Sequence, residues 1–264
     1  MSVYEDKFIA YVDILGFKEL VKRSEKGSEN APTVDYIFEL MRRFGSSNDE
    51  DFDRYGPTVC PCAPHSSLNL NFRVTQISDC AVISAETSPA GLINLVHHCY
   101  KIAFRFLKLG HLCRGYITRG NIVHTDTQFF GTGYVRAYES ESKVSIFRRN
   151  ADDKGTPFIE IDPQVRSYVA EQPDVCVKTV FGRLTEGHGS RTAISPLFAL
   201  KSIPDIVILR LLSQLEKQEA ETDASVRGKI EHITRKLREA LSLKEKQVEM
   251  IDFLSQPFSQ KFPR

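Results

Sequence analysis

The sequence predicts an α+β fold in which a mainly antiparallel sheet is flanked by helices and followed by an α-helical C-terminal extension. Three observations indicate this class. A short apolar run near the N-terminus precedes helical segments, later segments have the residue alternation of strand pairs, and the chain beyond residue 204 is rich in charge with helical periodicity. We therefore predict a globular domain over 1–200 and a helical extension over 201–264.

The composition is that of an ordinary globular protein, with 264 residues of which 41% are hydrophobic and 26% charged. A formal net charge of +1 argues against a nucleic-acid coat, which needs a strong basic excess. The sequence shows neither an apolar run of about 18–20 residues nor a signal-peptide pattern, so we expect a cytoplasmic protein without a membrane partner. The six cysteines are interpreted as free thiols.

The first part of the chain predicts one strand, two helices and an insertion. Residues 8–15 form a short apolar run typical of a buried strand, and Gly16 marks its end. Helices are predicted from Phe17 through the twenties and over 34–44. Residues 45–67 are polar, acidic and interrupted by three prolines, which indicates a surface insertion.

The remaining elements follow in alternation. We predict a hairpin over 70–84, a helix over 89–109, a strand pair over 113–124 with Gly120 as a hinge, a glycine-containing turn over 129–134, a helix from 135 to 141, strands over 156–161 and 175–181, and a long helical region from 205 to about 254.

Two aspartates stand out as candidate metal ligands. Asp13 lies inside an apolar strand, where a charge is costly unless it is used or paired, for instance with a buried arginine. Asp79 lies at the predicted tip of the hairpin. Two carboxylates and phosphate oxygens make the all-oxygen site that Mg²⁺ or Mn²⁺ prefers. The backbone amides of Gly16 and Phe17, at a strand-to-helix junction, would suit a triphosphate.

Four segments resemble the class III adenylate and guanylate cyclases, in the expected order over residues 5–185. They are the strand at 11–17, the hairpin tip at 77–79, the strands at 114–123, and the turn and helix start at 129–135 with Ala137 and Glu141. The resemblance implies a ferredoxin-like core, a homodimer with active sites at the subunit interface, and a catalytic domain over 1–200. It also implies two Mn²⁺ or Mg²⁺ ions per site, bound by Asp13, Ile14 and Asp79.

The chain departs from the purine cyclases at the positions that read the base and stabilise the transition state. Thr75 and Gln128 stand where those enzymes have a lysine and an aspartate. Val135 and Glu139 stand where they have an asparagine and an arginine. We assign the catalytic arginine to Arg136, and two further arginines are alternatives from shifted positions, Arg114 and Arg119.

This pattern, with its insertion and helical tail, resembles the pyrimidine cyclases of bacterial Pycsar anti-phage defence. That resemblance implies synthesis of cyclic UMP or cyclic CMP as a second messenger for a separate effector, with UTP the favoured substrate. Thr75 and Gln128 are the expected base contacts, and Tyr55 in the insertion is expected to narrow the base pocket. The candidates for a triphosphate clamp are Lys178, Arg183 and Arg191. A purine cyclase and an inactive nucleotide-binding module are the alternative interpretations.

Overall fold

The fold was analysed in a computed structural model, which describes residues 3–27, 31–45, 70–148, 155–195, 204–221, 227–228 and 230–242. The predicted insertion, apart from its first residue, lies outside these residues. The chain divides into two compact units, Met1–Pro196 and Leu197–Arg264.

An antiparallel sheet with one parallel pair forms the centre of the first unit. Within the described residues it contains β1 (Glu5–Ile14), β2 (Phe72–Ile77), β3 (Cys80–Glu86), β4 (Cys113–His124), β5 (Phe129–Phe130), β6 (Ile159–Ile161), β7 (Thr185–His188) and β8 (Arg191–Ile194). Their order is β2-β3-β1-β4-β6-β8-β7, and β5 pairs with β4. Among these described strands, β4 and β6 form the one parallel pair. The predicted α+β class with a mainly antiparallel sheet is confirmed, and the arrangement is compatible with a ferredoxin-like fold.

Helices flank this sheet. They are α1 (Phe17–Lys26), α2 (Val34–Met41, continued by a 3₁₀ turn at Arg42–Phe44), α3 (Pro89–Lys108), α4 (Thr132–Glu141), α5 (Pro163–Glu171) and α6 (Val175–Leu184). The sequence located α3 well because its start is strongly marked: Ser88 accepts a hydrogen bond from the Gly91 N–H at 3.0 Å, and Pro89 occupies the first helical position.

Alternation along β1 assigns its side chains to two different faces of the sheet. Phe8, Val12 and Ile14 are buried in the main core, which includes residues of α3. Ile9 and Tyr11 contribute to a smaller cluster on the opposite face, with Ala137 of α4. Asp13 continues this second row, so its carboxylate lies on the α4 side of the sheet.

The predicted strand pair over 113–124 is wrong, because β4 is one continuous strand. It pairs with β1 from Glu5↔Ile122 to Ile14↔Cys113. Gly120 is therefore not a hinge. A Cβ on Gly120 would lie 3.0 Å from the Cα of Gly133, so its missing side chain allows α4 to pack closely on the strand.

The predicted strand over 175–181 is also wrong. These residues begin α6, where Asp174 caps the helix by accepting the Cys176 N–H at 2.7 Å. Val177, Phe181 and Leu184 are its buried residues and follow helical spacing. β-branched residues gave the segment the appearance of a strand, but burial on one helical face decides the outcome. The prediction also missed α5, β7 and β8.

The second unit is helical where it is described. It contains α7 (Asp205–Glu221) and a helical stretch over 230–242. Its buried apolar residues are Ile208, Leu211, Leu212, Leu215, Ile230, Ile233 and Leu237. Arg238 forms an ion pair with Glu216 at 2.5 Å. The predicted continuation to about residue 254 lies outside the described residues. Across the described parts of both units, no helix combines the length and apolarity needed to cross a membrane.

Candidate active site

Sheet register places the two predicted metal ligands side by side. Asp13, near the end of β1, pairs with Cys80 of β3 on one side and with Arg114 of β4 on the other. Asp79 lies in the turn between β2 and β3, directly before Cys80. The backbone N–H of Ile14 donates to the carbonyl oxygen of Asp79 at 3.0 Å, which joins the turn to the end of β1. The structure therefore brings Asp13, Ile14 and Asp79 together.

Two further charged side chains complete this cluster, Arg114 and Glu141. Arg114 was predicted as an alternative catalytic arginine, and pairing of Asp13 with a buried arginine was the alternative to a metal, whereas Glu141 was given no role beside Asp13. The Nη2 of Arg114 donates to Asp13 Oδ2 at 3.5 Å, and its Nε donates to Oε1 of Glu141. Glu141, at the end of α4, is only 5% exposed. A side chain at Gly155 would collide with Arg114 Nη1, so this glycine makes room for the guanidinium. The register between β1 and β4, which sets Arg114 opposite Asp13, was the information needed to predict this contact from the sequence.

The cluster is strongly acidic for its degree of burial. The pKa of Asp13 is raised to about 7, first by burial and then by the negative charge of Glu141, while the positive charge of Arg114 opposes both. The charge of Asp79 also raises the pKa of Asp13, so the two aspartates are close enough to interact. The guanidinium of Arg114 contacts two carboxylates, Asp13 and Glu141, and the charge of Asp79 acts on the first of them, so this excess of negative charge favours a bound cation.

The donor atoms present fit a divalent cation. Asp13 Oδ1 is buried and accepts no hydrogen bond from any residue that the structure describes, which is a costly state for a carboxylate oxygen and one that a metal ion would relieve. The side chain of Ile14 is apolar and 2% exposed, so only its backbone carbonyl could serve as a ligand. The described residues contain no group of three or more His, Cys, Asp or Glu side chains arranged to hold a metal. Mg²⁺ commonly uses one or two carboxylates and takes its other ligands from phosphates and water.

The predicted phosphate contacts follow directly along the chain. Gly16 adopts a left-handed conformation, with φ 79°, and forms the N-cap of α1 without a side-chain cap. Phe17 is the first residue of α1, and its side chain is buried. The positive end of the helix dipole therefore lies three residues beyond Ile14, where it would stabilise an anion.

The two predicted base contacts lie at one turn, on the α4 side of the sheet. Thr75 on β2 is buried, and its hydroxyl donates to the carbonyl oxygens of Thr125 and Asp126 at 3.3 and 3.4 Å. Gln128 ends the same turn, where its N–H donates to Thr125 Oγ1 at 3.0 Å, and it is exposed. From strand spacing, Thr75 lies about 12 Å from Asp13.

The predicted catalytic arginine does not reach Asp13 within one chain. Arg136 is exposed on α4, and its Nη1 donates to the carbonyl oxygen of Arg119 at 3.5 Å. Arg119 pairs in register with Phe8, about 16 Å along β1 from Asp13. The side chain of Arg119 is itself paired with Asp6 at 2.7 Å. Of the three arginines considered, Arg114 alone contacts Asp13 in the same chain.

The other predicted contacts are dispersed. Lys178 and Arg183 are exposed on α6. Arg191 forms an ion pair with the buried Glu160. Tyr55 lies outside the described residues.

No model of a known protein family matches this chain, and no curated protein matches it at a significant level.

The raised pKa of Asp13 leads to a prediction about stability. In the unfolded chain an aspartate titrates near pH 4, so between about pH 4 and 7 the folded protein binds the additional proton. The contribution of Asp13 to stability is therefore lost as the pH rises through this window. We expect the Tm of Asp13→Asn minus the Tm of the wild type, both measured with a chelator present, to be a few degrees larger at pH 8 than at pH 5.

Thermal unfolding at the two pH values measures this difference. Glu25→Gln, on the exposed surface of α1, is the control for loss of a carboxylate. A Tm difference between Asp13→Asn and the wild type that is the same at both pH values would contradict the assigned burial of charge.

Proposed function

We propose that the protein is a nucleotide cyclase that converts a pyrimidine nucleoside triphosphate, UTP in preference to CTP, into its 3′,5′-cyclic monophosphate and pyrophosphate. The observation that carries this proposal is the proximity of Asp13 and Asp79 at the end of strand β1. Among the described residues, Asp13 Oδ1 is buried and has no hydrogen-bond partner. In the proposed role the product is a second messenger in anti-phage defence that activates a separate effector.

In the proposed reaction the ribose 3′-oxygen bonds to the α-phosphorus, the bond to pyrophosphate breaks and the hydroxyl proton leaves to solvent. Asp13, Asp79 and the carbonyl of Ile14 would hold two Mn²⁺ or Mg²⁺ ions. These ions, when bound, lower the pKa of the attacking hydroxyl and neutralise the departing pyrophosphate. The amides at Gly16 and Phe17 orient the phosphates at the start of α1.

Arg114 and Glu141 support the carboxylate of Asp13. The guanidinium lies between the two carboxylates and reduces their mutual repulsion. Because Glu141 is buried on α4 and Arg114 packs on Gly155, the orientation of Asp13 is fixed by two separate parts of the chain.

The turn that ends at Gln128 supports the choice of a pyrimidine. A lysine and aspartate pair reads the base in the purine cyclases. Here both positions are neutral, Thr75 and Gln128, and the exposed amide of Gln128 can donate and accept hydrogen bonds. Both uracil and cytosine present such edges. UTP is the proposed substrate, and CTP is the alternative that a turnover assay separates.

A second copy of the chain is proposed to complete the site. Ile77, Val135 and Tyr138 are 51%, 46% and 53% exposed, and the last two lie on α4. These apolar side chains are suited to burial at an interface. In such a homodimer Arg136, which cannot reach Asp13 in its own chain, is proposed to act at the site of the partner.

The turnover assay is the direct test of the proposed function. Purified protein with Mn²⁺ should convert UTP, or CTP, to a cyclic monophosphate identified by mass, and Asp13→Ala or Asp79→Ala should lower the rate at least about 1,000-fold by removing charge from the metal ligands. Asp35→Ala, exposed in the first turn of α2, is the control.

Preference for ATP or GTP would exclude the pyrimidine assignment. Tight nucleotide binding without turnover would instead favour an inactive binding module, for which the replacement of the usual asparagine and arginine by Val135 and Glu139 is the supporting observation.

Mixing two inactive variants tests the shared site. Asp13→Ala and Arg136→Met should each be inactive alone. A heterodimer of the two has one site with an intact Asp13 from one chain and an intact Arg136 from the other. Mixing them in equal amounts, with subunit exchange checked by native mass spectrometry, should restore about a quarter of wild-type activity.

Failure of the mixture to regain activity, despite confirmed heterodimers, would show that Arg136 does not act across the interface. Full activity of Arg136→Met alone would remove Arg136 from catalysis.

A further inference from the structure

A network of buried hydrogen bonds connects the sheet to the turn at residues 125–128. Ser84 on β3 is fully buried, and its Oγ lies 2.7 Å from Nδ1 of His124 at the end of β4. Nε2 of the same imidazole lies 3.0 Å from Thr75 Oγ1 on β2. Thr75 then contacts the carbonyl oxygens of Thr125 and Asp126. The network joins side chains of β3, β4 and β2 and ends at the turn.

The carbonyl oxygens at the end of this network favour one direction for its protons. Because carbonyl oxygens only accept, they favour the orientation in which the single hydroxyl proton of Thr75 points to the turn. In that orientation Thr75 Oγ1 accepts from His124, and Nε2 is the protonated nitrogen. Burial lowers the pKa of His124 to about 4, so the ring is neutral and its Nδ1 accepts from Ser84.

With these protons assigned, Thr75 has little hydrogen-bonding capacity and little exposed surface left for a ligand. Its proton and one lone pair are used inside the protein, and the residue is only 7% exposed. A second side chain of β2 holds the same turn, because Arg73 forms an ion pair with Asp126. Gln128, by contrast, is exposed, and its N–H is fixed by Thr125.

We propose that Ser84, His124 and Thr75 form a positioning relay that fixes the turn over residues 125–128, so that Gln128 is the residue that reads the base. Thr75 and His124 are then positioning residues without direct contact to the nucleotide. The assignment of Gln128 rests on the proposed function, whereas the relay itself does not.

Amide hydrogen exchange in the nucleotide-free protein tests the relay. The N–H groups of Thr125 and Gln128 both bond within the turn. Thr75→Val should raise their exchange rates about tenfold by removing the hydroxyl, while Thr75→Ser should keep them within about twofold. Thr156→Val removes another hydroxyl of the same 7% exposure, bonded to Ile146, and should leave these rates unchanged.

The tautomer of His124 provides a second readout that needs no variant. ¹⁵N spectra of the wild type should show Nε2 protonated and Nδ1 unprotonated at pH 7. The reverse tautomer, or unchanged exchange at both amides in a folded Thr75→Val, would overturn the relay.

Nucleotide preference tests the assignment of the base contact. Gln128→Ala should change the ratio of kcat/KM for UTP and CTP at least about fivefold, since a base-reading hydrogen bond is lost. Thr75→Val should change the same ratio by a smaller factor, because the loosened turn positions Gln128 less accurately, while Thr75→Ser should leave the ratio unchanged. A changed ratio in Thr75→Val together with an unchanged ratio in Gln128→Ala would show that Thr75, and not Gln128, contacts the base. Absence of any turnover by the wild type would contradict the proposed cyclase, while the exchange and tautomer results would still decide the relay.

Discussion

The account depends on one electrostatic constraint, the burial of the Asp13 carboxylate at the end of a central strand. Its side chain is 20% exposed, its Oδ1 has no hydrogen-bond partner among the described residues, and the neighbouring carboxylates repel it more strongly than Arg114 attracts it. An ionised carboxylate with a raised pKa costs stability, and such a cost is typical of a functional site. The costly placement of Asp13 is therefore the main physical reason to regard the end of β1 and its neighbouring strands as a functional site.

The surrounding fold maintains that placement. Because β1 is paired on both sides, the position of Asp13 is fixed by β3 and β4. The bond from Ile14 to Asp79 adds the hairpin turn, and Arg114 with Glu141 adds the end of α4. Rigid elements of this kind can hold catalytic groups without an energetic cost during the reaction. The turn over residues 125–128 is held in a similar manner, by buried side chains of neighbouring strands.

The sequence predicted the elements that have strong local signals. The apolar run of β1, the β2–β3 hairpin and the capped helix α3 were all recognised, and so was the proximity of Asp13 and Asp79. What it could not predict depends on contacts between distant residues. A glycine inside β4 looked like a hinge until α4 packed on it, and α6 carries β-branched residues whose helical burial is a tertiary effect. Arg114 and Glu141 became part of the site only through strand register and helix packing.

Binding of Mn²⁺ measures the central claim most directly. Electron paramagnetic resonance of free Mn²⁺, recorded with a non-reactive triphosphate analogue, gives the number of ions bound per chain. The account predicts that the wild type binds two ions and that Asp13→Asn, which keeps the shape of the side chain but removes its charge, loses binding at least about tenfold. Equal binding of Mn²⁺ by the wild type and Asp13→Asn would show that the buried carboxylate does not hold a metal, and would contradict the account.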